Sequence, residues 1–181
     1  MAHINLVDPA SSSAAVKPML DKINGAFGVV PNMFKAVANS PAALTSMWGS
    51  FGALSGGKLG ARLGEEIAVA IANVNRCEYC LAAHTALGRK AGASAEEMAA
   101  AQIGKSSDPR THAALTFALK VVHDRAAVTE ADVAAVKAAG FDDEAVVEII
   151  AHVALNLFTN YVNVALNVPV DFPAVPLKRV A

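Results

Sequence analysis

The chain has 181 residues, 54% of them hydrophobic and 17% charged, with a net charge of −1 and a pI of about 6.5. This length suits a single domain with a substantial core, or two small lobes sharing one, and the near-neutral balance excludes charge-driven binding to nucleic acid or to an anionic membrane surface. Two cysteines are too few for a secreted disulfide scaffold, so a reducing cytoplasm is the expected compartment.

No basic segment precedes an apolar run at the start, and a signal peptide is not expected. The punctuation that follows is helical throughout. Helices are expected over 12–25, 31–38, 41–54, 64–75, 77–90, 95–103, 109–125, 130–138 and 143–167, which makes the chain all-α. Ser40-Pro41 and Asp108-Pro109 each pair an N-cap with a proline in the first turn. Residues 67–71 alternate like a strand, but Ile67, Ile71 and Val74 share a helical face, so a helix is expected there. Ser94 to Glu97 and Thr129 to Asp132 read as capping boxes, and Asp142 as the cap of the final helix. Gly92 and Gly140 fall where helices end. The most apolar region, Ile149 to Val170, contains His152, Asn156, Thr159, Asn160, Asn163 and Asn167, and these polar groups argue against a membrane span. Pro169, Pro173 and Pro176 predict an extended tail. A mean hydropathy of +0.39 is high for a soluble chain and points to apolar surface buried in a homo-oligomer.

A weak internal repeat appears when the chain is shifted by 79 residues: Glu65 meets Glu144, and Ile71, Ala72 and Val74 meet Ile150, Ala151 and Val153. A second copy over about 113–167 would keep the helix pair and lose the thiols. His152, Asn156, Asn160, Asn163 and Asn167 share one face of the last helix, as ordinary satisfied amides or as part of a site.

The chemistry concentrates in CEYCLAAH, residues 77–84. A closed zinc site needs four ligands, and no second cysteine pair or histidine spacing completes one, so no metal is expected. Haem attachment would need histidine directly after the second cysteine, where Leu81 stands. Redox chemistry fits better. Cys77 and Cys80 are neighbours on a helix, close enough to form a disulfide, and His84 lies one turn beyond Cys80, where an imidazole can take a thiol proton. The helix dipole favours a thiolate at Cys77, whereas His84 favours one at Cys80. On one straight helix Glu65 would stand about 22 Å from Cys80. A sharp reversal near Asn75-Arg76 would instead bring Glu65 level with His84, in a Glu–His–Cys relay.

Glu65, eleven intervening residues, then Cys77-x-x-Cys80-x-x-x-His84 resembles the alkyl hydroperoxidase D (AhpD)-like proteins of the carboxymuconolactone decarboxylase superfamily. The motif core covers about 65–92. Asn160-Tyr161-x-Asn163 and Asp171-Phe172-Pro173 extend the likeness to the peroxidase-related branch and to most of the chain, as a single domain over 1–181. The resemblance implies an all-helical fold with two pseudo-repeated helical lobes, homo-oligomeric assembly and reduction of organic or hydrogen peroxide without a bound cofactor. By the same likeness, Cys80 would be the peroxidatic thiol and Cys77 the resolving one, with Glu65 and His84 as proton relay. A dithiol reductant, such as a lipoyl-bearing protein, would restore the pair. Tyr79 stands where the best-known family pattern has a second histidine, so a relay step is missing or replaced by a phenol. A decarboxylase-type lyase and a redox-sensing or structural oligomer are the alternatives; the lyase branch acts without a CxxC pair.

Other features have plainer readings. Gly52 to Lys58 nearly matches a phosphate loop but has Leu59 in place of Ser or Thr, and is expected to be a flexible loop. Met47, Trp48 and Phe51 are expected to pack in the core. Glu148 and His152, one turn apart, are expected to pair.

Overall fold

A computed structural model describes residues 1–179; positions 180 and 181 of the expected domain lie outside the described residues. Among the described residues, a short 3-10 turn at Pro9–Ser11 precedes nine helices: α1 (Lys17–Phe27), α2 (Asn32–Val37), α3 (Pro41–Ser55), α4 (Gly60–Val74), α5 (Glu78–Lys90), α6 (Ala95–Ala101), α7 (Pro109–His123), α8 (Glu130–Ala138) and α9 (Asp143–Ala165). No strand occurs among the described residues. Residues 67–71 are helical, within α4.

The local start signals operate as read. Ser40 Oγ accepts from the Ala43 N–H, Asp108 from Thr111 and Asp142 from Ala145, which satisfies donors that no helix can pair internally. Ser94 with Glu97 and Thr129 with Asp132 form complete capping boxes. Two starts differ from expectation. α1 begins at Lys17 rather than 12, because Asp8 caps the 3-10 turn at Pro9–Ser11 and Pro18 fits only a first turn. α4 begins at Gly60 rather than 64. Its approach is held from a distance: one carboxylate oxygen of Glu148 on α9 accepts from the N–H groups of Lys58 (2.7 Å) and Leu59 (3.3 Å). Glu148 is therefore engaged by backbone rather than hydrogen-bonded to His152.

The centre of the molecule is α4, which packs against α5, α6, α7 and α9. Residues 63–73 are buried all round except for Glu65, and the alanines at 68, 70 and 72 let the neighbouring helices approach closely. Asn73 is buried within this core and fastens the tail. It accepts from the Gln102 side chain at 3.0 Å and from the Lys178 N–H at 2.9 Å, and it donates to the Lys178 carbonyl at 3.2 Å. Residues 168–179 form neither helix nor strand and run back across the helices.

The reversal between α4 and α5 is a Schellman motif. The Arg76 N–H donates to the Asn73 carbonyl at 3.2 Å and the Cys77 N–H to the Ala72 carbonyl at 2.9 Å. Arg76 occupies the left-handed position at φ 57°, which glycine fills most easily. The repeat does not reproduce this hairpin. A shift of 79 residues places Asn75-Arg76 on Ala154-Leu155, in the middle of an unbroken α9, so the residue matches do not carry a second helix pair. Nor is 52–58 a loop throughout, because α3 continues to Ser55.

A β-branched residue at Arg76 would clash with its own carbonyl at positive φ. Arg76→Val is expected to lower unfolding stability by about 1–2 kcal/mol in urea titration, whereas Arg76→Gly keeps or raises it. Equal stability of the valine variant would contradict the assigned turn.

Candidate functional site

Cys77 caps α5: its Sγ accepts from the Cys80 N–H at 3.2 Å. The same geometry brings the two Sγ atoms together as a disulfide across a Cα separation of 5.4 Å. Cys77 and Cys80 are both almost fully buried. One turn beyond Cys80, His84 lies against α4, and its Nδ1–H donates to Glu65 Oε2 at 2.7 Å. A carboxylate only accepts, so this bond assigns the ring proton to Nδ1 and leaves the Nε2 lone pair as a base. The Arg76 reversal is what permits the pairing, since nineteen residues separate the partners along the chain. The helices touch closely here: a Cβ at Gly88 would lie 3.3 Å from Glu65 Cβ.

Glu66, next in sequence, goes elsewhere. It points to Arg62, at 3.2 Å, and Arg62 reaches on to Glu97 of α6 at 2.6 Å. Burial raises the Glu66 pKa, and the Arg62 bond opposes the shift. Of the two adjacent glutamates, only Glu65 meets the histidine.

Cys80, His84 and Glu65 line one cavity of about 370 Å³. Phe27, Phe34, Trp48, Phe51, Tyr79 and Phe172 supply its aromatic wall. Met47 is core as expected, but Trp48 and Phe51 are only half-buried and face this cavity. Gly52, in α3, lines it too. Tyr79 closes one side. Its hydroxyl oxygen accepts from the Met33 N–H at 3.2 Å, and its ring meets Phe172 edge-on at 5.8 Å. Burial, reinforced by nearby Asp171, pushes the phenol pKa up, so it stays protonated. The Tyr79 hydroxyl makes no hydrogen bond to His84 or Glu65. Asp171 itself accepts from the Asn32 N–H at 2.7 Å. Tyr79 and Asp171 thus satisfy the first donors of α2, which otherwise has no side-chain cap of its own.

The polar face of α9 turns inward. Asn156, Thr159, Asn160 and Asn163 are buried, while Val147, Ile150, Ala154, Tyr161 and Val164 are exposed. Asn160 Oδ1 accepts from Asn75 at 2.9 Å, beside the reversal. Asn163 Nδ2 donates to Cys80 Sγ at 3.1 Å. The sequence signal for this contact was the shared face of 152–167, but nothing in that spacing shows which way the face points. His152 is mostly buried against Gly64, where a Cβ would lie 3.0 Å from its ring, and its Nε2 has no partner among the described residues. Among the described residues, no group of three or more His, Cys, Asp or Glu gathers as a metal site would require.

Residues 41–124, which contain Glu65, both cysteines and His84, match the carboxymuconolactone decarboxylase family. No curated protein matches the chain. Among solved structures, it is similar to a peroxidase-related protein of Ralstonia eutropha JMP134, described as an alkylhydroperoxidase AhpD core, at 27% identity and a TM-score of 0.86, covering 94% of this chain and 92% of that one. A peroxidase-related protein of Silicibacter sp. TM1040 aligns at 25% identity and a TM-score of 0.82, covering 93% and 91%. The debrominase Bmp8, solved with 2,3,4-tribromopyrrole, shares the fold at 21% identity and a TM-score of 0.77, covering 94% of each chain.

Burial lowers the His152 pKa from its usual 6.5, and the nearby Glu148 and Glu65 charges oppose the shift. A depressed pKa means that the unfolded chain binds the proton more tightly. The contribution of His152 to stability is therefore full above pH 6.5 and is lost as pH falls towards the lowered value. His152→Phe, which keeps a ring beside Gly64, is expected to flatten that part of the stability–pH curve, read from urea midpoints. Parallel curves for variant and wild type would contradict it.

Proposed function

We propose that the chain is an AhpD-like member of the carboxymuconolactone decarboxylase superfamily and a thiol-dependent peroxidase and disulfide reductase that works through Cys77 and Cys80. The supporting observation is the meeting of Glu65, His84 and Cys80 at one apolar cavity. In the reduced enzyme, His84 Nε2 takes the Cys80 proton while Glu65 steadies the imidazolium through Nδ1. The thiolate attacks the terminal peroxide oxygen, the O–O bond breaks, and the leaving alkoxide takes the proton from His84. Cys80 becomes a sulfenic acid and the peroxide an alcohol, or water in the case of hydrogen peroxide. Cys77 then attacks the sulfenic sulfur, which forms the disulfide and releases water. A dithiol donor, of which a lipoyl-bearing protein is one candidate, reduces the disulfide and is itself oxidised. The aromatic wall favours an organic hydroperoxide with an apolar body. Tyr79 shapes that wall while its hydroxyl holds α2. A reducing cytoplasm would supply the donor.

We further propose a homo-oligomer. The exposed residues Val147, Ile150, Ala154, Tyr161 and Val164 of α9, with half-buried Leu157 among them, follow alternating steps of three and four, the spacing of a helix-to-helix seam. A second copy of the same seam is its natural cover.

With dihydrolipoamide as donor, wild type is expected to consume cumene hydroperoxide and Cys80→Ser to lose at least about 100-fold in rate. Equal rates would overturn the thiol mechanism. A lyase would act on a lactone acid with Cys80 replaced, and a sensor would form the disulfide once without turnover. For the assembly, Ile150→Glu with Tyr161→Glu should reduce the mass seen by light scattering to that of one chain; an unchanged mass would exclude the α9 seam.

A further inference from the structure

Asn163 is 3% exposed and comes from a helix 83 residues away along the chain to donate to Cys80 Sγ. Its Oδ1 is buried with no partner among the described residues. A buried acceptor left open beside a reactive sulfur is costly unless another state of the site fills it. The orientation of the amide follows from chemistry, because a disulfide sulfur has no hydrogen to give and only Nδ2 can bond to it. The titratable groups around Cys80 are Cys77, Tyr79 and His84 from α5, Glu65 from α4 and His152 from α9. Asn163 is the neutral partner, and its donor is present at every pH.

We propose that Asn163 is a catalytic residue: Nδ2 stabilises the Cys80 thiolate, and Oδ1 accepts the O–H of the sulfenic acid formed on that sulfur. The first role applies to any reaction through Cys80; the second rests on the peroxidase reading. When the disulfide opens, negative charge settles on a sulfur that is already hydrogen-bonded, and the bond strengthens as the acceptor becomes an anion. When peroxide adds one oxygen, the new hydroxyl is a donor, and the open Oδ1 is the nearby acceptor. Cys77 displaces that oxygen as water, and the amide returns to the arrangement seen here.

The test uses the full-length chain carrying Cys77→Ser, so that Cys80 cannot be consumed as a disulfide. The pH dependence of Cys80 alkylation by iodoacetamide gives the thiol pKa without any peroxide. Asn163→Leu is expected to raise that pKa by about one unit, a tenfold loss of thiolate below the pKa, and Asn163→Asp to raise it further by charge repulsion. The sulfenic acid formed by cumene hydroperoxide, trapped with dimedone, should be shorter-lived in Asn163→Leu. An unchanged pKa in a variant with wild-type circular dichroism overturns the thiolate role. An unchanged sulfenic lifetime overturns the second role. If Cys80 resists hydroperoxide altogether while the pKa shift persists, the peroxidase reading fails and the thiolate role is supported. Should Asn163→Leu not fold, the Asn163 side-chain amide resonances in the Cys77→Ser chain decide: they should shift as Cys80 titrates, and their failure to move overturns the proposal.

Discussion

One reversal of direction brings Glu65, Cys77, Cys80 and His84 together. The left-handed turn at Arg76 ends α4 and lets Cys77 begin α5, so the two helices run antiparallel from a common corner. Glu65, far up one helix, then stands beside His84, far down the other. The same turn puts Cys77 at the N-cap, where it accepts the Cys80 N–H and sits within bonding reach of the Cys80 sulfur. Asn75, at the corner, bonds Asn160 of α9 and ties the hairpin to the helix that carries Asn163. A residue at positive φ without a glycine is tolerated because the Schellman bonds and the buried hairpin over-determine it.

The second constraint is the set of amides that α9 buries alongside its apolar residues. A soluble helix ordinarily buries its apolar stripe. Here the buried side carries Val146, Ile149, Val153 and Leu155 in its first half and amides in its second, while Val147, Ile150, Tyr161 and Val164 stay exposed. The inward amides are tied to the Asn75 corner, to the Cys80 sulfur and to the helix backbone. The outward residues are left uncovered by the rest of the chain. A buried polar set and an exposed apolar set thus share a single helix, whose sequence is accordingly apolar along its length and also rich in asparagine.

The local parts of the fold were legible because they depend on neighbours in the chain. Ser40, Ser94, Asp108, Thr129 and Asp142 cap helices through bonds only three residues long, and all five were readable as such. The Glu65–His84 pairing was legible for a different reason: the helix rise puts both at similar distances from a break near Arg76. What escaped depends on packing between distant segments. Glu148 supports the approach to α4 from ninety residues away. Trp48 and Phe51 look like core residues until α1, α2 and the Phe172 tail leave a cavity before them. The shared face of Asn156, Asn160 and Asn163 was visible as a period, but only the position of α5 shows that it points at Cys80.

The central claim is that Glu65, through His84, makes Cys80 reactive towards peroxide. Trp48, the single tryptophan, lines the cavity and offers a built-in fluorescence reporter. The most direct measurement is stopped-flow oxidation of pre-reduced enzyme by cumene hydroperoxide, with wild type and Glu65→Gln compared under single turnover and the Cys77–Cys80 disulfide confirmed by mass. The relay predicts a rate constant at least about 100-fold lower in Glu65→Gln, the usual size of a lost general acid–base contribution, with the same disulfide as final product. Equal rate constants in the two proteins would contradict it.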